Sequence, residues 1–172
     1  MEEKLDSKLI YDGKVVHLYK DRVLLPNNHE SIREVIRHQG AVAILAIIDG
    51  KVIMERQFRY PFNKDILEIP AGKLEKEESH LDAARRELEE ETGYYANKLT
   101  YLGALYPSVA YTDEVIYTYL ATDLVKKEIN LDPDEFLNVE MIDYDEVKKM
   151  ILSDEIKDAK TIITILRYEL LK

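Results

Sequence analysis

The sequence predicts an α/β domain, with a mixed sheet between helices, preceded by a small N-terminal antiparallel β appendage. Three observations predict it. Strand-like and helix-like segments alternate along the chain. Asp49-Gly50 between two apolar runs is a hairpin signal, so the sheet is not all parallel. Ala41–Ile48 is apolar throughout, which suits a central strand covered on both faces. With 172 residues, one catalytic-sized domain plus a small extension is expected.

Residues 9–37 read as short strands at Val15–Tyr19, Arg22–Leu25 and Ile32–Ile36, with the turn Pro26-Asn-Asn-His29 between the last two. So little apolar surface is marginal alone and needs packing from outside. The boundary falls near residue 39, which gives an appendage over 1–38 and a main domain over 39–172. After the hairpin strand Lys51–Phe58, Leu67-Glu-Ile-Pro70 reads as a short strand ending at proline. Residues 80–92 read as a helix: Ser79 with Asp82 resembles a capping box, and Gly93 suits the left-handed position past its end. Strands are expected at 98–106, 114–121 and Val139–Ile142, and helices at Asp145–Leu152 and Lys160–Leu171. In the last helix Ile163, Leu166 and Leu170 mark the expected apolar stripe.

Composition narrows the function. The formal charge of −10 argues against nucleic acid or an anionic membrane as partner. Zero cysteines exclude thiol catalysis and Cys-ligated zinc and fit a reducing cytoplasm. The longest apolar run has eight residues, against about 20 needed to span a bilayer. The charged start MEEKLDSK does not read as a signal peptide. A soluble cytoplasmic protein is expected.

The segment Gly72–Tyr94 carries the chemistry. On a helix, Leu81, Ala84 and Leu88 form the expected buried stripe, and Glu87, Glu90 and Glu91 share another face. Carboxylates at i, i+3 and i+4 have Cβ atoms about 5–6 Å apart. Each pair repels by about 3 kcal/mol at an effective dielectric of 20, and by less than about 1 in open water. A pocket lined this way calls for a cation among the oxygens, and hard oxygen ligands favour Mg²⁺ or Mn²⁺ over zinc. The bland alternative is a solvated acidic helix face.

The flanking residues decide between them. Gly72, Glu78 and Arg86-Glu-Leu-Glu-Glu-Glu-Thr-Gly93 match the Nudix box at all seven fixed positions, with chance agreement of order 10⁻⁵ per chain. One position departs: Tyr94 stands where an aliphatic residue is usual. The chain therefore resembles the Nudix hydrolases, which implies an α/β/α sandwich and a Mg²⁺-dependent pyrophosphohydrolase acting on a nucleoside diphosphate derivative. The resemblance implies Glu87 and Glu91 as central metal ligands, Glu90 as a further ligand and catalytic residue, and the Ala71 carbonyl as a loop ligand. Glu78 and Arg86 would form a bracing salt bridge, with Gly72 and Gly93 as structural box residues.

Outside the box, Arg33–His38, Gly40–Ala43, Arg56–Tyr60, Leu67–Gly72 and Lys157–Thr161 resemble the ADP-ribose pyrophosphatase branch. That implies cleavage of ADP-ribose to AMP and ribose 5-phosphate, and a homodimer in which the N-terminal sheet crosses to the partner. It further implies Arg59 on the substrate phosphates, Arg33 reaching the nucleotide from the N-terminal sheet, Glu75 near the metals, and Glu114 near the terminal ribose or the metals. The branch takes its general base from an acidic loop, where Glu135 is the choice and Asp132 and Asp134 are rivals. Val109 and Ala110 replace the branch's usual Pro and Gly. The alternatives are the same chemistry on another nucleotide sugar, such as GDP-mannose, or a non-catalytic nucleotide sensor. His17, His29, His38 and His80 have no metal-ligand spacing and are expected on the surface or in hydrogen bonds. Tyr117 and Tyr119 alternate on one strand face as packing residues.

Overall fold

The structure, a computed structural model, describes residues 1–131 and 136–172. It forms two units, residues 1–40 with 106–115, and residues 41–105 with 116–172. Among the described residues no helix is long and apolar enough to cross a membrane.

The first unit is a three-stranded antiparallel sheet in the order β1 (Glu3–Asp12), β2 (His17–Leu24), β3 (Glu30–Arg37). Two expectations change here. The pieces read at Val15–Tyr19 and Arg22–Leu25 are one strand, β2. The polar interruption at Lys20-Asp21 does not break it, because buried Asp21 is satisfied by Ser7 Oγ at 2.5 Å and Arg37 Nη2 at 2.8 Å. β1 went unread because every residue in it is exposed, which leaves no inside–outside alternation. The stretch 106–115 follows β3: Ile36 N–H donates to the Tyr111 carbonyl at 2.7 Å, and Arg37 pairs with Asp113.

The second unit holds a seven-stranded sheet. Its main path runs β10 (Leu137–Asp143), β5 (Lys51–Arg59), β4 (Ala41–Ile48), β9 (Ile116–Lys126), β8 (Tyr94–Leu105). β6 (Lys64–Glu68) pairs with β5, and β7 (Ala71–Lys73) with β4. Among the described strands of this sheet only β4 and β9 pair in parallel, so the sheet is mixed, as the sequence predicts. The β4–β5 turn has Asp49 at φ 49° and Gly50 at φ 76°, the two positive values a type I′ hairpin requires.

β4 is buried on both faces. Val42, Ile44 and Ala46 pack with Ala83, Ala84 and Leu88 of α1 (His80–Thr92). Ala41, Ala43 and Leu45 join the core formed with Val147 and Met150 of α2 (Tyr144–Leu152) and Ile165 of α3 (Ala159–Leu171). Each fully buried Leu or Ile contributes about 1.5–3 kcal/mol.

Two predicted stripes are corrected. Leu81 is exposed, and Ala83 takes its place beside Ala84 and Leu88. On α3, Ile163, Leu166 and Leu170 are 38%, 50% and 88% exposed, while Thr161, Thr164 and Ile165 are buried. The threonines can go inside because their hydroxyls donate to Asp158 Oδ2 and to the Lys160 carbonyl, each at 2.6 Å.

The feature that positions the site is a shared edge. β7 pairs with β4 at Ala41–Ala43, β5 pairs with it at Ala46–Ile48, and between them Ile44 N–H donates to the Pro70 carbonyl at 2.8 Å. The strand read at Leu67–Pro70 is thus two: β6 ends at Glu68, and Ala71 opens β7. Pro70 has no N–H to give, yet its carbonyl ties this chain crossing to the most buried strand.

Candidate active site

α1 begins as the sequence indicates. Ser79 Oγ accepts from Asp82 N–H at 3.2 Å and donates to Asp82 Oδ2 at 2.7 Å. At the other end Gly93 adopts φ 70°, and its N–H bonds the Glu89 carbonyl at 2.9 Å. The helix lies against β7, and Glu87 and Glu91, one turn apart, meet that strand. Ala71 N–H donates to Glu91 Oε2 at 3.1 Å, and the Glu91 residue is only 4% exposed. Gly72 takes Glu87 so closely that a Cβ there would stand 2.0 Å from the Glu87 carboxyl carbon. A side chain at position 72 and a carboxylate in that place exclude each other.

Arg86 organises the acids around it. Nε and Nη2 form a fork on Glu78 at 2.8 and 2.9 Å. Nη1 donates to Glu87 Oε1 at 2.9 Å and Glu90 Oε2 at 3.0 Å, and Nη2 also reaches the Lys73 carbonyl at 3.2 Å. These bonds use all five guanidinium donors. They hold the Glu78 carboxyl below its ordinary value of 4.5 and raise the pKa of Arg86 itself, chiefly through Glu78. Glu78 Oε2 also accepts Glu75 N–H at 2.9 Å, which closes the loop between β7 and α1.

The expected donor set, three helix carboxylates and the Ala71 carbonyl, is oxygen only. That chemistry fits a hard divalent cation. Arg86 bridges Glu87 and Glu90, and among the described residues no three acidic or histidine side chains converge into a ready-made cage. The like charges are held in place by a guanidinium, the physical requirement that repulsion imposes on such a stripe.

The other expected residues have partners of their own. Arg59, at the end of β5, places Nε and Nη2 on the two oxygens of Glu68 at 2.7 and 2.8 Å. It is close enough to Glu91 to feel that charge. Arg33 belongs to the first unit, where it bonds Glu2, Ser31 Oγ and the Ile32 carbonyl. Glu114 also belongs to the first unit, with His38 Nδ1 at 3.8 Å. Val109 and Ala110 are exposed in the same unit. Asp132, Asp134 and Glu135 fall outside the described residues.

Two groupings were not read in the sequence. Glu68, buried at 4%, bonds Lys160 as well as Arg59, and Lys160 also pairs with Asp158 at 3.1 Å. Burial works to raise the Glu68 pKa, but Arg59 and Lys160 outweigh it and leave it below its ordinary value. The available signal was two short stretches, Leu67–Gly72 and Lys157–Thr161, each carrying charge beside apolar residues. The second grouping is aromatic. The His80 ring stacks on Tyr117 at 4.3 Å and 11°, its Nδ1 bonds Tyr119 OH, and Tyr101 closes the cluster.

Comparison with known proteins places this geometry. A model of the NUDIX domain matches residues 37–163. The chain belongs to the Nudix family. This Nudix chain is 47% identical over 169 residues to an ADP-ribose pyrophosphatase of Bacillus subtilis (strain 168), covering 96% of the chain and 91% of the relative. It is 44% identical over 167 residues to a methanol dehydrogenase activator of Bacillus methanolicus, covering 95% and 90%. The Nudix fold itself recurs in a crystal structure of ADP compounds hydrolase, with a TM-score of 0.89 at 22% identity over 99% of this chain and 93% of that one.

Proposed function

We propose that this Nudix hydrolase cleaves ADP-ribose. Water adds to one phosphorus, the P–O–P bridge breaks, and AMP and ribose 5-phosphate leave. The observation that carries the proposal is the seating of Glu87 and Glu91 against Gly72 and Ala71, one helical turn apart on a strand stitched to the core. The 47% identity to an ADP-ribose pyrophosphatase supports the substrate.

Glu87, Glu91, Glu90 and the Ala71 carbonyl would hold Mg²⁺, or Mn²⁺ in its place. A divalent ion there supplies charge stabilisation at the diphosphate. Arg59 holds diphosphate oxygens through its outward edge, and Arg33 and Glu114 address the nucleotide and the terminal ribose. Glu135 takes the proton from the attacking water. Arg86 keeps Glu87 and Glu90 oriented while Glu78 fixes Arg86. A homodimer is part of the proposal. β1 is exposed throughout and carries Leu5, Leu9, Ile10 and Tyr11, and Val23 is the one hydrophobic residue of the first sheet's strands among the buried core residues. A second copy supplies the cover such a sheet requires. A cytoplasmic setting is proposed with it, in keeping with a chain that has no cysteine.

A panel of ADP-ribose, GDP-mannose and other nucleoside diphosphate sugars, scored by kcat/KM with Mg²⁺, tests the substrate. ADP-ribose should rank first, with AMP as product. A different sugar nucleotide ahead by tenfold replaces the substrate, and binding without any turnover removes the hydrolase reading. E135Q compared with D132N and D134N tests the base: E135Q should lower kcat far more than either. Sedimentation of the whole chain tests the dimer, which a monomer at micromolar concentration would refute.

A further inference from the structure

The geometry assigns Lys160 as a positioning residue that sets Arg59, acting through Glu68, for the substrate diphosphate; this rests on the proposed role of Arg59 above. Glu68 is the middle of a short chain of charges. Its carboxylate takes Arg59 on one side, by Nε and Nη2, and Lys160 Nζ on the other. Lys160 is itself tethered to Asp158 at 3.1 Å. Asp158 is the N-cap of α3, accepting Thr161 N–H at 2.9 Å and Thr161 Oγ1–H at 2.6 Å. Thr161 Oγ1 in turn accepts Ile69 N–H at 2.9 Å. Residues 68 and 69 are therefore fastened twice to the first turn of α3, next to the crossing that leads into Ala71.

Exposure separates the roles. The Lys160 side chain is 12% exposed and the Glu68 side chain 6%, so neither is available to a substrate. The Arg59 side chain is 41% exposed. A guanidinium that docks by Nε and Nη2 keeps Nη1, with two N–H groups, on its opposite edge. That edge is the one a diphosphate can take. Lys160 contributes in two ways. It fixes the carboxylate on which Arg59 rests, which lowers the ordering cost when a diphosphate binds. It also shares the negative charge of Glu68, so that Arg59 is not wholly neutralised by its own anchor.

The test is steady-state kinetics on ADP-ribose with K160M, K160R, R59K, R59A and K160M/R59K, each checked for native circular dichroism. K160M should raise KM by about tenfold while kcat stays within about threefold, the signature of lost binding common to ground and transition states. K160R should recover most of that loss. K160M/R59K should be no worse in kcat/KM than R59K, because the two act through one contact. Removing one partner of a buried pair can unfold the chain. Should K160M do so, K160Q, a neutral side chain that keeps hydrogen-bond donors beside Glu68 and Asp158, must show the same rise in KM. An unchanged KM in the folded variant, or losses that multiply in the double variant, overturns the inference. If R59K and R59A both leave KM unchanged, the role of Arg59 in binding falls, and this inference with it. If they raise KM while K160M does not, only the inference falls.

Discussion

At Gly72 a single hydrogen atom decides where a carboxylate can stand. A Cβ at that position would meet the end of the Glu87 side chain, and the end of a glutamate can swing aside while the fold persists. G72A should therefore keep its thermal midpoint within a few degrees and lose about 10²-fold in kcat. Calorimetry and initial rates measured side by side check this, and an active G72A would remove Glu87 from the machinery. E91Q should also lower kcat by at least about 10²-fold with the fold retained. The pH response follows from Glu78 and Glu68. Arg86 holds the first below its ordinary value of 4.5, and Arg59 with Lys160 overcome burial to do the same for the second. Lowered folded pKa values mean their stabilisation is complete above pH 4.5 and is lost as pH falls through the folded values. The thermal midpoint should drop in that acid window, and E78Q should flatten the drop.

Among the elements, the bounds of α1 were legible to the residue because their signals are local, a capping serine and a closing glycine, although Leu81 was wrongly placed on its buried face. α3 was legible in extent but not in face. Its run Thr161-Ile-Ile-Thr-Ile-Leu166 offers apolar groups in several directions, and the face turned inward includes two threonines that bond their own helix turn. Periodicity weighs hydropathy and cannot weigh a satisfied hydroxyl. I165A should cost about 2–5 kcal/mol as a core truncation. L166A, at an exposed position, should stay within about 0.5 kcal/mol. Denaturant titration of both variants checks the assignment of faces. The Glu68–Lys160 pair escaped the sequence for a related reason: its members are 92 residues apart, and only the folded chain brings them together.

For the molecule as a whole, the order of elements and the box were readable, whereas the first strand was not, since an exposed strand leaves no pattern in its own residues. The net charge of −10 makes approach of a diphosphate unfavourable without cations. Chelation with EDTA should abolish AMP release, and Mg²⁺ or Mn²⁺ should restore it with the circular dichroism unchanged throughout. Activity that survives exhaustive chelation would contradict the assignment of the helix carboxylates. A last consequence comes from the Ile44–Pro70 bond, which lashes the chain crossing beside the proposed site to the innermost strand. On heating, such a centre has no separate way to fail. Turnover should vanish only where the protein melts, and the Ile44 amide should be among the last to exchange its proton for deuterium.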